Sequence, residues 1–141
     1  MSFFSDLEID YLNQNRLGRL ATVGRDGMPH IVPIGYHFDP ASDTVQIGSR
    51  EDASQTKKFR DVTKHSEVAF LVDDLVSMDP PTPRGIEVRG RAEALLEGGQ
   101  ALGLEIWGFP FEQAWIRITP TRIISWGIDS SPFETLSRDV G

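Results

Sequence analysis

The feature that most constrains this chain is its rhythm of short, β-branched runs separated by turn residues. Leu17-Gly18-Arg19-Leu20-Ala21-Thr22-Val23 leads into Gly24-Arg25-Asp26-Gly27, an Asp-Gly hairpin signal. The return run from Pro29 to Phe38 is interrupted by Pro33 and Gly35. Proline within a strand implies an edge or a bulge. After a turn at Asp39–Ser42 comes Thr44-Val45-Gln46-Ile47, ending at Gly48-Ser49. Further strands are predicted at Glu67–Val72, Gly85–Ala94, Ala114–Ile118 and Arg122–Trp126. The apolar run Val68-Ala69-Phe70-Leu71-Val72 predicts burial on both faces. About seven strands with two or three flanking helices favour a mainly β fold, an antiparallel sheet closed into a barrel to remove its edges.

Helices are predicted in three places. Ser5-Asp6-Leu7-Glu8 fits a capping box opening a short helix with Leu7, Tyr11 and Leu12 on one face. Ser54 is the expected cap of a helix over Gln55–Lys64 that buries Phe59 and Val62, and a looser helix falls near Ala101–Ile106. Asp73–Pro83 reads as a loop, and residues 128–141 as a polar, mobile tail after a core of about residues 5–127. A chain of 141 residues with no internal repeat or linker is read as one domain.

Composition narrows the chemistry. There is no cysteine, which excludes disulfides, thiolate nucleophiles and cysteine–zinc sites. No apolar run approaches the ~18 residues of a membrane span, and the start lacks a signal-peptide pattern, so a cytoplasmic address is expected. The net charge of −7 argues against nucleic acid as a partner. The sequence carries no nucleophile elbow, H-E-x-x-H, Walker loop or G-x-G-x-x-G. Catalysis would therefore rest on a bound cofactor rather than on side chains.

One basic island stands out in this acidic chain: Arg50, Lys57, Lys58, Arg60 and Lys64. Lys57 and Lys58 follow a capped helix start, where free N–H groups favour anions, and Ser49, Ser54 and Thr56 add hydroxyl donors. Two readings are open: a phosphate cradle, or pairing of Lys57 or Lys58 with Asp61 on a helix surface. Arg89, Arg91 and Glu87 share a strand face and read as ion-paired surface residues.

Leu20-Ala21-Thr22-Val23, Asp26-Gly27-Met28-Pro29 and Val32-Pro33-Ile34 resemble the opening of the pyridoxamine 5'-phosphate oxidase-like, split β-barrel flavin-binding family. The resemblance continues through Lys57–Val62, Val68–Val72 and Gly85–Glu93. Ile118–Trp126 resembles the branch that uses the deazaflavin coenzyme F-420. The resemblance implies an FMN-binding-like homodimer with two cofactor sites at its interface. It implies a ring lying against Val32, Pro33 and Ile34 and bordered by Ile47, Gly48 and Ser49, with the phosphate on Lys57 and Lys58. Arg84 and Gly85 match a strand start that touches flavin in the oxidase, which has a glutamine where this chain has Gly85. The oxidase's cluster of residues for the substrate phosphate is not evident, so a different substrate is implied. The expectation is an oxidoreductase using F-420 or FMN to move hydride to or from a small conjugated molecule. The alternatives are a non-catalytic carrier of flavin, F-420, haem or tetrapyrrole, and an interaction barrel using the aromatic stretch Trp107–Phe111.

Overall fold

A computed structural model describes residues 2–141, apart from the side chain of Ala53. Helix α1 (Asp6–Gln14) opens on the expected capping box: the Ser5 hydroxyl accepts from the Glu8 N–H, and the Glu8 carboxylate accepts from the Ser5 N–H at 2.9 Å. Tyr11 and Leu12 are buried, whereas Leu7 is exposed and the inward position is taken by Glu8. Strand β1 (Leu17–Val23) pairs along its length with β2 (Pro29–Gly35), which is an edge strand, as Pro33 requires.

The run that starts at Pro29 does not stay in one place. After Tyr36 it continues as β3 (His37–Asp39), which pairs with β4 (Thr44–Ile47) at the opposite edge of the sheet. One strand switching partners at Tyr36 thus links the two edges of the half-barrel. Tyr36 is buried there, donating its hydroxyl to the Leu12 carbonyl at 2.5 Å and meeting Phe70 edge-on at 4.9 Å. The remaining strands are β5 (Glu67–Met78), β6 (Pro81–Leu95), β7 (Trp115–Trp126) and β8 (Thr135–Asp139). The order across the sheet is β2-β1-β5-β6-β7-β4-β3, with β8 beside β7. Helices α2 (Lys57–Lys64) and α3 (Gly99–Trp107) complete a mainly β fold with three helices. The core is filled by Leu20, Phe38, Val45, Phe70, Ile86, Val88, Ile116, Ile118 and Ile123, each worth about 1.5–3 kcal/mol on burial.

Five expectations are corrected. Thr56, not Ser54, caps α2, accepting from the Phe59 N–H at 3.3 Å, while Ser54 bonds Asp52 in the preceding turn. Residues 73–83 are not a loop: β5 and β6 run past the barrel as a two-stranded arm. Both faces of the arm meet solvent, leaving Leu75, Val76 and Met78 exposed, so no apolar alternation marks it. Thr119-Pro120-Thr121 does not break the last strand, because β6 shifts register at Arg89/Gly90 and the irregularity accommodates Pro120. Strand β5 is not buried on both faces: Val68, Phe70 and Val72 point inward and Ala69 and Leu71 are half-exposed. The tail is not free. Strand β8 pairs with Arg122–Trp126, and Arg138 clamps the buried Glu8 carboxylate at 2.5 Å and the Phe3 carbonyl at 2.7 Å.

Candidate functional site

Helix α2 stands over the Gly24–Gly27 turn, and between them lies a cleft of about 450 Å³. Its lining is Arg25, Asp26, Lys57, Arg60, Asp61 and Lys64: four cations against two carboxylates, on a chain of net charge −7. Lys57 occupies the first position of α2 and Lys58 the second, at the positive end of the helix dipole, where acidic residues are normally favoured and none occurs.

Of the two lysines, only Lys57 makes the pairing with Asp61. Lys57 reaches Asp61 one turn later, 3.0 Å from each carboxylate oxygen. Asp61 also accepts from the Thr22 hydroxyl of β1 at 2.9 Å. Burial pushes the Asp61 carboxyl up, but the hydrogen bonds from Lys57 and Thr22 and the nearby charges of Lys57 and His30 outweigh it and hold it below the usual range. Lys58 takes no part in this pairing. It is half-buried, and desolvation lowers its ammonium against the opposing pull of Glu51. Arg60 donates to the Gln55 carbonyl at 2.8 Å, whereas Arg25 and Lys64 make no hydrogen bond or ion pair among the described residues.

Lys58 does not line this cleft, and the other expected residues also lie outside it. Val32, Pro33 and Ile34 sit on the outer strand β2, with Pro33 exposed and Ile34 buried. Ile47 is buried in β4, and Gly48 and Ser49 follow at its exit. The face of Gly48 is already taken by Phe111, whose ring a Cβ at residue 48 would overlap. The Ser49 carbonyl accepts from the Glu112 N–H at 2.9 Å. Arg50 does not line the cleft and packs 4.2 Å over the Phe109 ring. Arg84 holds Asp74 through two bonds of 2.8 and 3.0 Å and lies over Tyr11, whose hydroxyl donates to the same carboxylate at 2.7 Å. Gly85 is buried because Trp126 and Asp73 close over it, a Cβ there lying 2.5 Å from the indole. Arg89 pairs with Glu87 at 2.9 Å.

A second groove, about 570 Å³, runs along the outer face of β1, β5 and β6 and includes Ala21, Val23, Pro29, Ala69, Arg89 and Arg91. A single chain thus gathers four cations in one cleft but leaves the apolar strand positions apart from it. Sequence reasoning missed Arg25 and Thr22, because each reaches its place from a separate element, and it singled out Phe111 without its contact with Gly48. The donor set beside α2 fits the anionic part of a phosphorylated cofactor, while the Gly48 cradle is filled by the chain's own ring.

This mainly β half-barrel with three helices is the architecture of pyridoxamine 5'-phosphate oxidase-like proteins. Residues 8–127 match the pyridoxamine 5'-phosphate oxidase family, and the chain belongs to that family. It is 40% identical over 126 residues to the 5a,11a-dehydrotetracycline/5a,11a-dehydrooxytetracycline reductase of Streptomyces rimosus, covering 89% of this chain and 84% of the relative. A conserved hypothetical protein of Mycobacterium tuberculosis superposes with a TM-score of 0.68 at 25% identity, over 89% of this chain and 86% of that one. A FAD-binding protein of Mesorhizobium loti has the same fold, with a TM-score of 0.59 at 23% identity over 86% and 91% of the two chains. Among the described residues no helix is long and apolar enough to cross a membrane.

Proposed function

We propose that this chain is an oxidoreductase that binds a flavin-type cofactor, F-420 ahead of FMN, and transfers hydride to or from a small conjugated organic substrate. The observation that carries the reading is the four-cation cleft beside α2 in an acidic chain of a flavin-handling family. The 40% identical reductase supports the same class of reaction. Four cations against two carboxylates leave the cleft a net charge of +2, which one phosphate monoester of about −1.5 to −2 balances. The ground for preferring F-420 is the resemblance of Ile118–Trp126 to the deazaflavin-using branch, with Arg25 and Lys64, unpaired among the described residues, available to the carboxylates of a longer tail.

In this reading Lys57 and Lys58 meet the phosphate, and Val32, Pro33 and Ile34 support the ring. Ile47, Gly48 and Ser49 border it through their backbone, Phe111 already filling the Cβ side of Gly48, and Arg84 reaches it across the seam of a homodimer. A second copy would also cover apolar side chains that one chain leaves in water: Met28 and Ile31 on and beside β2, and Leu75, Val76 and Met78 on the arm. When reduced and bound, such a cofactor supplies hydride, and water supplies the proton that completes reduction of a conjugated double bond. The chain's own residues orient the partners, and no side chain is required as acid or base.

The test is fluorescence titration of cofactor-free protein with F-420 and FMN side by side, followed by turnover with a conjugated acceptor. F-420 should bind more tightly. Combining Lys57→Ala with Lys58→Ala should weaken binding at least tenfold, about 1.4 kcal/mol. Absence of binding by either cofactor, or unchanged affinity in the double variant, overturns the proposal.

A further inference from the structure

The segment between β6 and β7 folds back over the exit of β4. It is pinned there by Glu112 N–H to the Ser49 carbonyl, by Gly99 N–H to the Gln113 carbonyl at 2.9 Å, and by the Trp115 indole to the Glu97 carbonyl at 2.8 Å. Its three aromatic rings form one pile. Phe111 lies on Gly48, Phe109 meets Phe111 edge-on at 5.6 Å, and Trp107 lies 6.3 Å from Phe111. A plug for the barrel end would be buried, yet all three rings are half-exposed.

Cations cap the pile. The Arg50 guanidinium carbon sits 4.2 Å from the Phe109 centroid, and that of Arg16 lies 5.9 Å from the Trp107 centroid. Neither arginine makes an ion pair or hydrogen bond among the described residues. A guanidinium packed on a ring still offers the N–H donors at its edge. Half-exposed rings offer stacking, and unclaimed N–H groups offer paired bonds to an oxyanion.

We propose that the Arg50-capped wall of Trp107, Phe109 and Phe111 selects the hydride acceptor, taking a planar polycyclic molecule that carries an ionised phenol or enol. The inference rests on the oxidoreductase reading, in which Ile47–Ser49 borders the cofactor ring, because an acceptor stacked on that ring would face this wall.

The probe is alizarin, a planar hydroxyanthraquinone ionised at mildly alkaline pH, titrated into cofactor-free protein and followed by quenching of tryptophan fluorescence. Its dimethyl ether serves as the uncharged counterpart. Phe109→Ala should weaken both compounds at least tenfold. Arg50→Gln should weaken alizarin at least tenfold and leave the ether within twofold. Affinities for F-420 and FMN, measured on the same samples, should stay within twofold of the parent. Failure of the parent protein to bind alizarin, or equal affinity in parent and variants, overturns the wall. Failure to bind either cofactor, whatever alizarin does, overturns the oxidoreductase reading instead.

Discussion

Replacing Asp61 with asparagine separates the two jobs of Lys57. Asp61 holds the Lys57 ammonium at 3.0 Å from both oxygens while its own side chain is only 7% exposed. Asparagine keeps an oxygen for the Thr22 hydroxyl but loses the charge. Hydrogen bonds to charged groups contribute about 1.5–3 kcal/mol, and Lys57 is half in water, so the expected loss of stability is about 1–2 kcal/mol. Because the Asp61 carboxyl is held below its unfolded value, its contribution is complete above about pH 5 and disappears as pH falls through the folded value. The gap between parent and Asp61→Asn should therefore narrow as pH falls below the unfolded carboxyl range. Binding should move the other way. Removing one negative charge that competes for the Lys57 ammonium should tighten anion binding severalfold. Urea unfolding followed by tryptophan fluorescence from pH 3 to 8 reads the first effect, and F-420 titration at low salt reads the second. Weaker binding in a variant that still folds would refute the view that Asp61 competes with the ligand for Lys57.

Arg138→Ala should cost about 2 kcal/mol in urea unfolding and speed amide exchange across residues 135–139, because it strands a Glu8 side chain only 1% exposed; unchanged exchange would mean the clamp does not hold β8. Ser125→Ala should leave stability unchanged or raise it by up to about 1 kcal/mol, since this buried hydroxyl has no hydrogen-bond partner, and a clear loss of stability would contradict that. Gly85→Ala should cost about 2–3 kcal/mol, because the new methyl would sit 2.5 Å from the Trp126 ring and 2.9 Å from the Asp73 Cβ, and a thermal melt within one degree of the parent would count against it.

The amino-acid sequence by itself determined what neighbouring residues can settle. The capping box at Ser5 and Glu8 and the hairpin turn at Gly24–Gly27 are local bargains between side chain and backbone, and both appear where the residues place them. Pro33 announces an edge strand because it cannot donate to a neighbour on both sides. The spacing of Lys57 and Asp61 was equally legible, but its outcome was not. Thr22, 39 positions earlier, supplies the second bond that holds the buried carboxylate in place.

Tertiary structure alone decided where distant segments meet. Strand β8 has a polar sequence and earns its place through the free edge of β7 and the Glu8 carboxylate, neither of which its own residues reveal. The arm of β5 and β6 lacks apolar alternation because it has no core beneath it, so only the ladder between its strands defines it. Gly48 reads as room for a flat ring, and the fold supplies one from Phe111, 63 residues away. Periodicity reports which face of an element is buried; it does not report which group buries it, because that depends on contacts made only when distant segments meet in the folded half-barrel.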